Sequence, residues 1–219
     1  MEECYSSGIA FIFEGDTEKE FYHVLIAHFA KKHRGYELEK CTDKKTGEVN
    51  YVLSSNQKCV LIKFNVVGTI TQITNSGAWF QNRCYKKFKS LDWTVFLCYD
   101  TDNYNNDISK FFEGDWKVLR NSITKNRNST VIDLAAQADI EDIMLLDIDA
   151  VYRYLGLETS PIIPSGKKGK TKIRNLFRDV GATYHEGERA KPLIESLDMD
   201  KIISLSTIPF LEIERKCFF

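Results

Sequence analysis

The sequence has few of the features that mark membrane, secreted, disordered or strongly charged proteins. Only four of the 219 residues are proline, which argues against long disordered linkers. The formal net charge is -1, so a polyanionic partner would have to be held by a local cluster of cations. No apolar run reaches the roughly 18–20 residues that a membrane span needs. The N-terminus lacks a basic segment followed by an apolar one, so no secretory signal peptide is expected.

The cysteines lack any motif spacing. None forms a C-x-x-C pair, and their wide scatter fits neither a zinc knuckle nor a compact disulfide framework. Several lie inside apolar runs such as "KCVLIKF" and "VFLCYD", so we expect reduced, buried thiols and a cytoplasmic protein. The six residues are Cys4, Cys41, Cys59, Cys84, Cys98 and Cys217.

Continuous apolar segments alternate along the chain with segments of helical periodicity. Strands are predicted at 8–14, 58–68, 93–105 and 129–137. Helices are predicted at 18–33, 71–90 and 139–157, and a helix or broken helix at 107–122. This alternation predicts an α/β fold with an open, mainly parallel sheet flanked by helices. We expect a single domain over residues 1–219, with a core at about 8–150 and a basic loop and helical C-terminal extension at 159–219.

Carboxylates follow two of the predicted strands. Glu14 ends the first strand, and Asp100 and Asp102 end the strand that begins at residue 93. Ligands of open parallel sheets bind beyond the carboxyl ends of the strands, so these side chains are expected to converge there. Clustered carboxylates repel one another unless a cation lies between them, and Mg²⁺ prefers carboxylate oxygens. The sequence therefore predicts a metal site.

Each acidic stretch also has a purely structural interpretation. "TEKE" fits a capping box, with Thr17 as the N-cap residue and Glu20 three positions later. In that interpretation Glu18 is a first-turn acid that favours the helix dipole. Asp102 and the asparagine after it could equally form a turn. The two stretches together, each following a strong strand, favour the metal site.

The stretches "FIFEGDTEKEF" and "VFLCYDTDNYN" together resemble the Toprim domain of topoisomerases, primases and OLD-type nucleases. The signature of that domain is a glutamate in a context like E-G-x-x-E, followed after a later strand by D-x-D. The stretch "EGDTEKEF" is more similar to the OLD-like and RloB-like branch, which is common in bacterial anti-phage systems, than to topoisomerases or primases. The resemblance covers roughly residues 8–150 and implies a Toprim/Rossmann-like fold. It also implies that Glu14, Asp100 and Asp102 ligate one or two Mg²⁺ or Mn²⁺ ions.

Two further segments fit this resemblance. "ADIEDIMLLD" supplies Glu141 and Asp142 as ligands for a second metal, unless they only form a solvated helix face. The loop "GKKGKTKIRNLFR" supplies cations for a nucleic-acid backbone, unless it is a solvated basic loop. Of these cations, Lys170 and Lys172 are predicted to stabilise the transition state. The nucleic-acid-binding residues are predicted to be Lys167, Lys168, Lys170, Lys172 and Arg174.

The resemblance implies a metal-dependent nuclease that cleaves DNA or RNA, tRNA included, as the toxic effector of an anti-phage system. The alternative is a catalytically silent Toprim module that binds nucleic acid or a partner ATPase or sensor. A third hypothesis, a phosphotransfer receiver, fits "EGDTE" poorly. No G-x-x-x-x-G-K-[ST] motif is present, so any ATPase would be a separate partner. The sequence does not determine the oligomeric state, and a homodimer is one alternative.

Overall fold

The computed structural model describes residues 5–44, 46–68, 72–101, 114–157 and 164–219. Six strands form one sheet in the order β2-β3-β4-β1-β5-β6. Strands β4, β1, β5 and β6 run parallel, and the β2–β3 hairpin continues the sheet in antiparallel register. The strands are β1 (Ser7–Phe13), β2 (Glu37–Thr42), β3 (Val49–Ser54), β4 (Cys59–Val66), β5 (Trp93–Asp100) and β6 (Ser129–Ala136).

Helices cover both faces of the sheet. Their bounds are α1 (Asp16–Lys32), α2 (Ile73–Trp79), α3 (Gly114–Thr124), α4 (Ile140–Met144), α5 (Ile148–Leu155), α6 (Gly169–Asp179), α7 (Lys191–Glu195), α8 (Met199–Leu205) and α9 (Leu211–Phe218). A π-helical turn at Phe80–Tyr85 continues α2. None of these helices is both long and apolar enough to cross a membrane.

Strand β1 shows why its apolar run is continuous. Phe11 and Phe13 lie in one buried cluster together with residues of α1, whereas Ala10 and Ile12 lie in a second cluster on the other face. A central strand buried on both faces needs apolar residues at every position, because its side chains alternate between the two faces. The predicted α/β class and the mainly parallel sheet are therefore confirmed.

Two local predictions were wrong. The capping box is not formed, because Gly15 is the N-cap residue of α1 and no side chain caps that helix in the described structure. The hydroxyl oxygen of Thr17 instead accepts a hydrogen bond of 3.0 Å from the backbone N–H of Gly187. The single helix predicted at 139–157 is divided into α4, a 3₁₀ turn at Leu145–Asp147 and α5. The first part of the helix predicted at 107–122 lies outside the described residues.

The C-terminal extension packs into the core of the sheet domain. Phe210 lies against Phe21 of α1, with ring centroids 5.8 Å apart. The ring of His33, just after α1, stacks on Phe218 at 4.5 Å and pairs with the carboxylate of Glu214 at 2.7 Å. Helix α1 is therefore sandwiched between the sheet and the extension, which also brings residues 184–188 to the carboxyl end of β1.

Candidate functional site

A polar cavity of about 380 Å³ lies at the carboxyl ends of β1 and β5. Six acidic side chains line it: Glu14 after β1, Asp16 and Glu18 in the first turn of α1, Asp100 at the end of β5, Glu141 in α4, and Glu186, which pairs with Lys170. Lys170 is the one lysine among the described lining residues. The structure thus brings Glu14, Asp100 and Glu141 together, as expected for side chains that follow parallel strands. We call this cavity the acidic pocket.

The carboxyl group of Asp100 lies in an unfavourable environment. The backbone N–H of this residue donates to Oε2 of Glu14 at 3.1 Å, which ties the ends of β1 and β5 together. Its own Oδ1 atom is buried and has no hydrogen-bond partner among the described residues. Burial, followed by the charges of Glu18 and Glu14, raises the pKa of Asp100 well above its ordinary value. An unpaired, buried carboxyl oxygen is costly, and a bound cation would remove that cost.

Glu18 is a site residue that the sequence-based prediction missed. Its side chain is 6% exposed, and burial followed by the nearby charge of Glu14 raises its pKa to about 7. A Cβ at Gly15 would lie 2.8 Å from Oε2 of Glu18, so glycine at this turn lets the carboxyl group come close to the backbone. The signal was present in the sequence, because Glu18 is the second glutamate of the E-G-x-x-E pattern.

Asp139 and Asp142 join the N-terminus of α4 to that of α6. Asp139 accepts hydrogen bonds from the N–H of Asp142 at 2.9 Å and from that of Lys170 at 3.1 Å. Asp142 accepts from the N–H of Gly169 at 2.9 Å and from Nζ of Lys172 at 3.0 Å. The two carboxylates thereby satisfy backbone donors at the starts of both helices. This arrangement, the α4–α6 clamp, holds Lys170 at the acidic pocket.

Glu141 is buried between the clamp and the C-terminal extension. Its side chain is 2% exposed, and its Oε1 atom accepts a hydrogen bond of 3.0 Å from the buried hydroxyl of Tyr184. Burial and then the charge of Asp139 raise its pKa to about 7, although Lys170 and the Tyr184 hydrogen bond oppose this rise. Tyr184 is thus a positioning residue from the extension, and its sequence context gave no sign of that role.

The substitution Tyr184→Phe is expected to raise the pKa of Glu141 further. It removes a hydrogen bond that favours the charged carboxylate and leaves the aromatic ring in place. The carboxyl carbon of Glu141, followed by NMR during a pH titration, measures the change. Tyr154→Phe is the matched control, because Tyr154 is 41% exposed and lies outside the acidic pocket. A Glu141 pKa that is unchanged in Tyr184→Phe would contradict this assignment.

The predicted basic loop is largely neutralised by carboxylates. Lys170 and Arg174 both pair with Glu186, at 2.8 Å and 2.5 Å, and Lys172 pairs with Asp142. Lys167 and Lys168 lie just before α6 and do not line the acidic pocket. Of the predicted cations, Lys170 alone lines the acidic pocket, so the loop does not present five unopposed charges to a nucleic-acid backbone.

Two of the five predicted metal ligands are not found as free carboxyl groups in the acidic pocket of the described structure. Asp102 lies outside the described residues, and Asp142 is engaged in the α4–α6 clamp. Within the described residues, no group of three His, Cys, Asp or Glu side chains is already arranged to hold a metal ion. The donor chemistry nevertheless fits a hard cation, because Glu14, Glu18, Asp100 and Glu141 all contribute carboxyl groups to the acidic pocket, and Oδ1 of Asp100 has no hydrogen-bond partner among the described residues.

Comparison with known proteins gives little guidance. No family model and no curated protein matches the sequence. A solved mutant structure of futalosine hydrolase from Helicobacter pylori is 8% identical, with a TM-score of 0.28, and covers 91% of this chain and 98% of its own. The 5'-methylthioadenosine/S-adenosyl homocysteine nucleosidase of H. pylori is 10% identical, with a TM-score of 0.31, and covers 97% and 99%. The Campylobacter jejuni nucleosidase of the same name is 10% identical, with a TM-score of 0.27, and covers 87% and 100%.

These comparisons correct the predicted nuclease function. The structures that match are named as a hydrolase of futalosine and as nucleosidases, and not as nucleases, so the prediction of a Toprim endonuclease acting on DNA or RNA is withdrawn. The predicted nuclease and the proteins named in these structures agree only in the general class of hydrolase. Their low TM-scores assign no activity to this chain, so its function has to be argued from the acidic pocket. The resemblance to the Toprim domain itself stays a prediction.

Proposed function

We propose that the acidic pocket binds a divalent cation, Mg²⁺ or Mn²⁺, and that the chain is a hydrolase of small phosphate-bearing molecules. The observation that carries this proposal is the buried Oδ1 atom of Asp100, which has no hydrogen-bond partner among the described residues and lies in the same pocket as the carboxyl groups of Glu14, Glu18 and Glu141. Clustered carboxyl groups repel one another in the absence of a cation. Glu14 and Asp100 would hold the ion, since they follow neighbouring parallel strands.

The size and chemistry of the acidic pocket support a small phosphate-bearing substrate. A volume of about 380 Å³ suits a small molecule. Mg²⁺ keeps part of its coordination sphere for water or substrate phosphates. A bound ion of this kind would polarise a phosphoryl oxygen and neutralise developing charge. The neutralised basic loop offers little for a longer polyanion to bind.

The remaining groups of the acidic pocket have distinct tasks in such a reaction. Glu18 and Glu141 have pKa values of about 7, so each exists in both protonation states near neutral pH. One of them would accept a proton from the attacking water, and the other would give a proton to the leaving oxygen as the phosphorus–oxygen bond breaks. Lys170 keeps its positive charge, because its hydrogen bond to Glu186 raises its pKa despite burial. Its ammonium group would bind a phosphate oxygen.

Phosphate release tests the proposal. The purified protein is incubated with nucleoside mono-, di- and triphosphates and with pyrophosphate, in the presence of Mg²⁺, Mn²⁺ or EDTA. We expect cation-dependent release of phosphate from at least one of these compounds. Glu14→Gln and Asp100→Asn are expected to reduce the rate by about 100-fold or more, because each removes a carboxylate that would hold the ion.

The matched control is Glu37→Gln, which changes a glutamate on the exposed edge of strand β2 and is expected to leave the rate unchanged. Release that continues undiminished in EDTA would show that the carboxyl groups act as acid and base without a cation. Release that survives both Glu14→Gln and Asp100→Asn would overturn the proposed site.

A further inference from the structure

A second, larger cavity of about 680 Å³ lies beside the acidic pocket. Its floor is the face of the β2–β3 hairpin and β4 that α1 leaves uncovered, and it contains Leu38, Tyr51 and Phe64. One wall is formed by α1, and the far rim by residues of the C-terminal extension. The turn at Gly187–Ala190 separates the two cavities, since Gly187 lines the acidic pocket and Glu188 lines this one. We call it the hairpin cavity.

Three rings form a continuous aromatic surface in the hairpin cavity. The rings of His23 and Tyr51 lie 4.8 Å apart, those of Tyr51 and Phe64 5.0 Å, and those of His23 and Phe64 6.3 Å. All three residues are only partly buried, so the faces or edges of their rings reach the cavity. Burial and then the charge of Lys191 lower the pKa of His23. At neutral pH its imidazole is therefore uncharged, with one donor and one acceptor nitrogen.

The lysines of the hairpin cavity are only partly balanced by acids. Glu48 on the rim is paired at 2.8 Å with Nζ of Lys63, which is 1% exposed and lies beneath the floor. Lys19 is held at 3.3 Å by Glu20. The nearest acid to Lys191 is Glu195, at 3.9 Å and one helical turn away, and the ammonium of Lys40 is in no ion pair found among the described residues.

These observations together define the chemistry of a ligand. An aromatic surface that is partly exposed inside a cavity favours a planar ring, because stacking on His, Tyr and Phe rings adds to the burial of apolar area. Two lysines whose charges are not fully offset favour an anionic group at the rim. We propose that the hairpin cavity binds a small molecule with a planar aromatic ring, which packs on Tyr51 and Phe64, and an anionic group, which contacts Lys40 and Lys191.

Calorimetric titration with adenosine monophosphate and with adenosine tests this site. The titrations are done in EDTA, so that no cation can recruit a phosphate to the acidic pocket. We expect adenosine monophosphate to bind, and adenosine to bind about tenfold more weakly because it lacks the anionic group. Tyr51→Leu and the double change Lys40→Ala with Lys191→Ala are each expected to weaken binding of the monophosphate about tenfold.

Two control variants show whether the monophosphate binds in the hairpin cavity and not elsewhere on the protein. Lys44→Ala removes an exposed lysine from the same hairpin outside the cavity, and Asp100→Asn alters the acidic pocket; both are expected to leave the affinity unchanged. Thermal unfolding of each variant shows that the fold is retained. Absence of binding, equal affinities for the monophosphate and adenosine, or loss of binding in Asp100→Asn would each overturn the proposal. The failure of the acidic pocket to hydrolyse phosphates would leave it intact.

Discussion

The substitution Gly169→Ala is expected to destabilise the protein by about 3 kcal/mol. A Cβ at this position would lie 2.1 Å from the backbone nitrogen of Asp142 and 2.5 Å from Oδ1 of Asp139. Both neighbours belong to the α4–α6 clamp, so neither can move without breaking hydrogen bonds that satisfy helix N-termini. Chemical denaturation measures the change in the free energy of unfolding.

Gly181→Ala is the matched control at the other end of α6. Gly181 has a positive φ of 73°, and a Cβ there would meet nothing within 4 Å. We therefore expect only the backbone penalty of about 1 kcal/mol. If Gly169→Ala proved no more destabilising than Gly181→Ala, the described contact between α4 and α6 would be wrong.

The cation-free protein is expected to lose stability as the pH rises from 5 to 8. Burial is the main cause that raises the pKa of both Glu18 and Glu141 from 4.5 to about 7, and the charges of neighbouring acidic residues add to it. A group with a raised pKa in the folded state binds more protons there than in the unfolded state. The loss in the free energy of unfolding that this group causes is therefore absent below about pH 4.5 and fully present above pH 7. Each group alone contributes about 3 kcal/mol to this loss.

Urea denaturation in EDTA at pH 5, 6, 7 and 8 measures the effect. The double variant Glu18→Gln with Glu141→Gln is expected to make the profile shallower, because the amides do not titrate, whereas Asp100, whose pKa is also raised, remains. Mg²⁺ at 100 times its dissociation constant is expected to restore about 2.7 kcal/mol to the wild-type protein at pH 8. A wild-type profile in EDTA that is flat, or that rises with pH over this range, would contradict the acidic pocket as described.

Much of the fold could be predicted from local sequence patterns. Strand β1 appears as a continuous apolar run because it is buried on both faces, and β4, β5 and β6 also carry apolar residues that pack on both faces of the sheet. The break of the helix predicted at 139–157 was not predictable in this way, because the buried Asp147 takes bonds from distant residues. Its carboxylate accepts from the N–H of Asp198 and from Nζ of Lys201.

Some residues of the acidic pocket could likewise be predicted from local sequence patterns, and others could not. Glu14 and Asp100 were predictable, because residues that follow parallel strands share one edge of the sheet. Glu18 was assigned to the helix dipole, because the charge of Glu141 that helps to raise its pKa comes from a residue over 100 positions away in sequence. The hydrogen bond from Tyr184 could likewise not be predicted from the sequence, because only the packing of the C-terminal extension brings that residue to Glu141.

Binding of Mn²⁺ at pH 7.5 tests the central claim most directly. Free Mn²⁺ is measured by electron paramagnetic resonance in titrations of the wild-type protein and of Asp100→Asn, with Glu37→Gln as the control on the edge strand. The account predicts saturable binding to the wild-type protein and to Glu37→Gln, and binding about tenfold weaker or more in Asp100→Asn. Equal binding by Asp100→Asn and the wild-type protein, or no binding by either, would contradict the acidic pocket as a cation site.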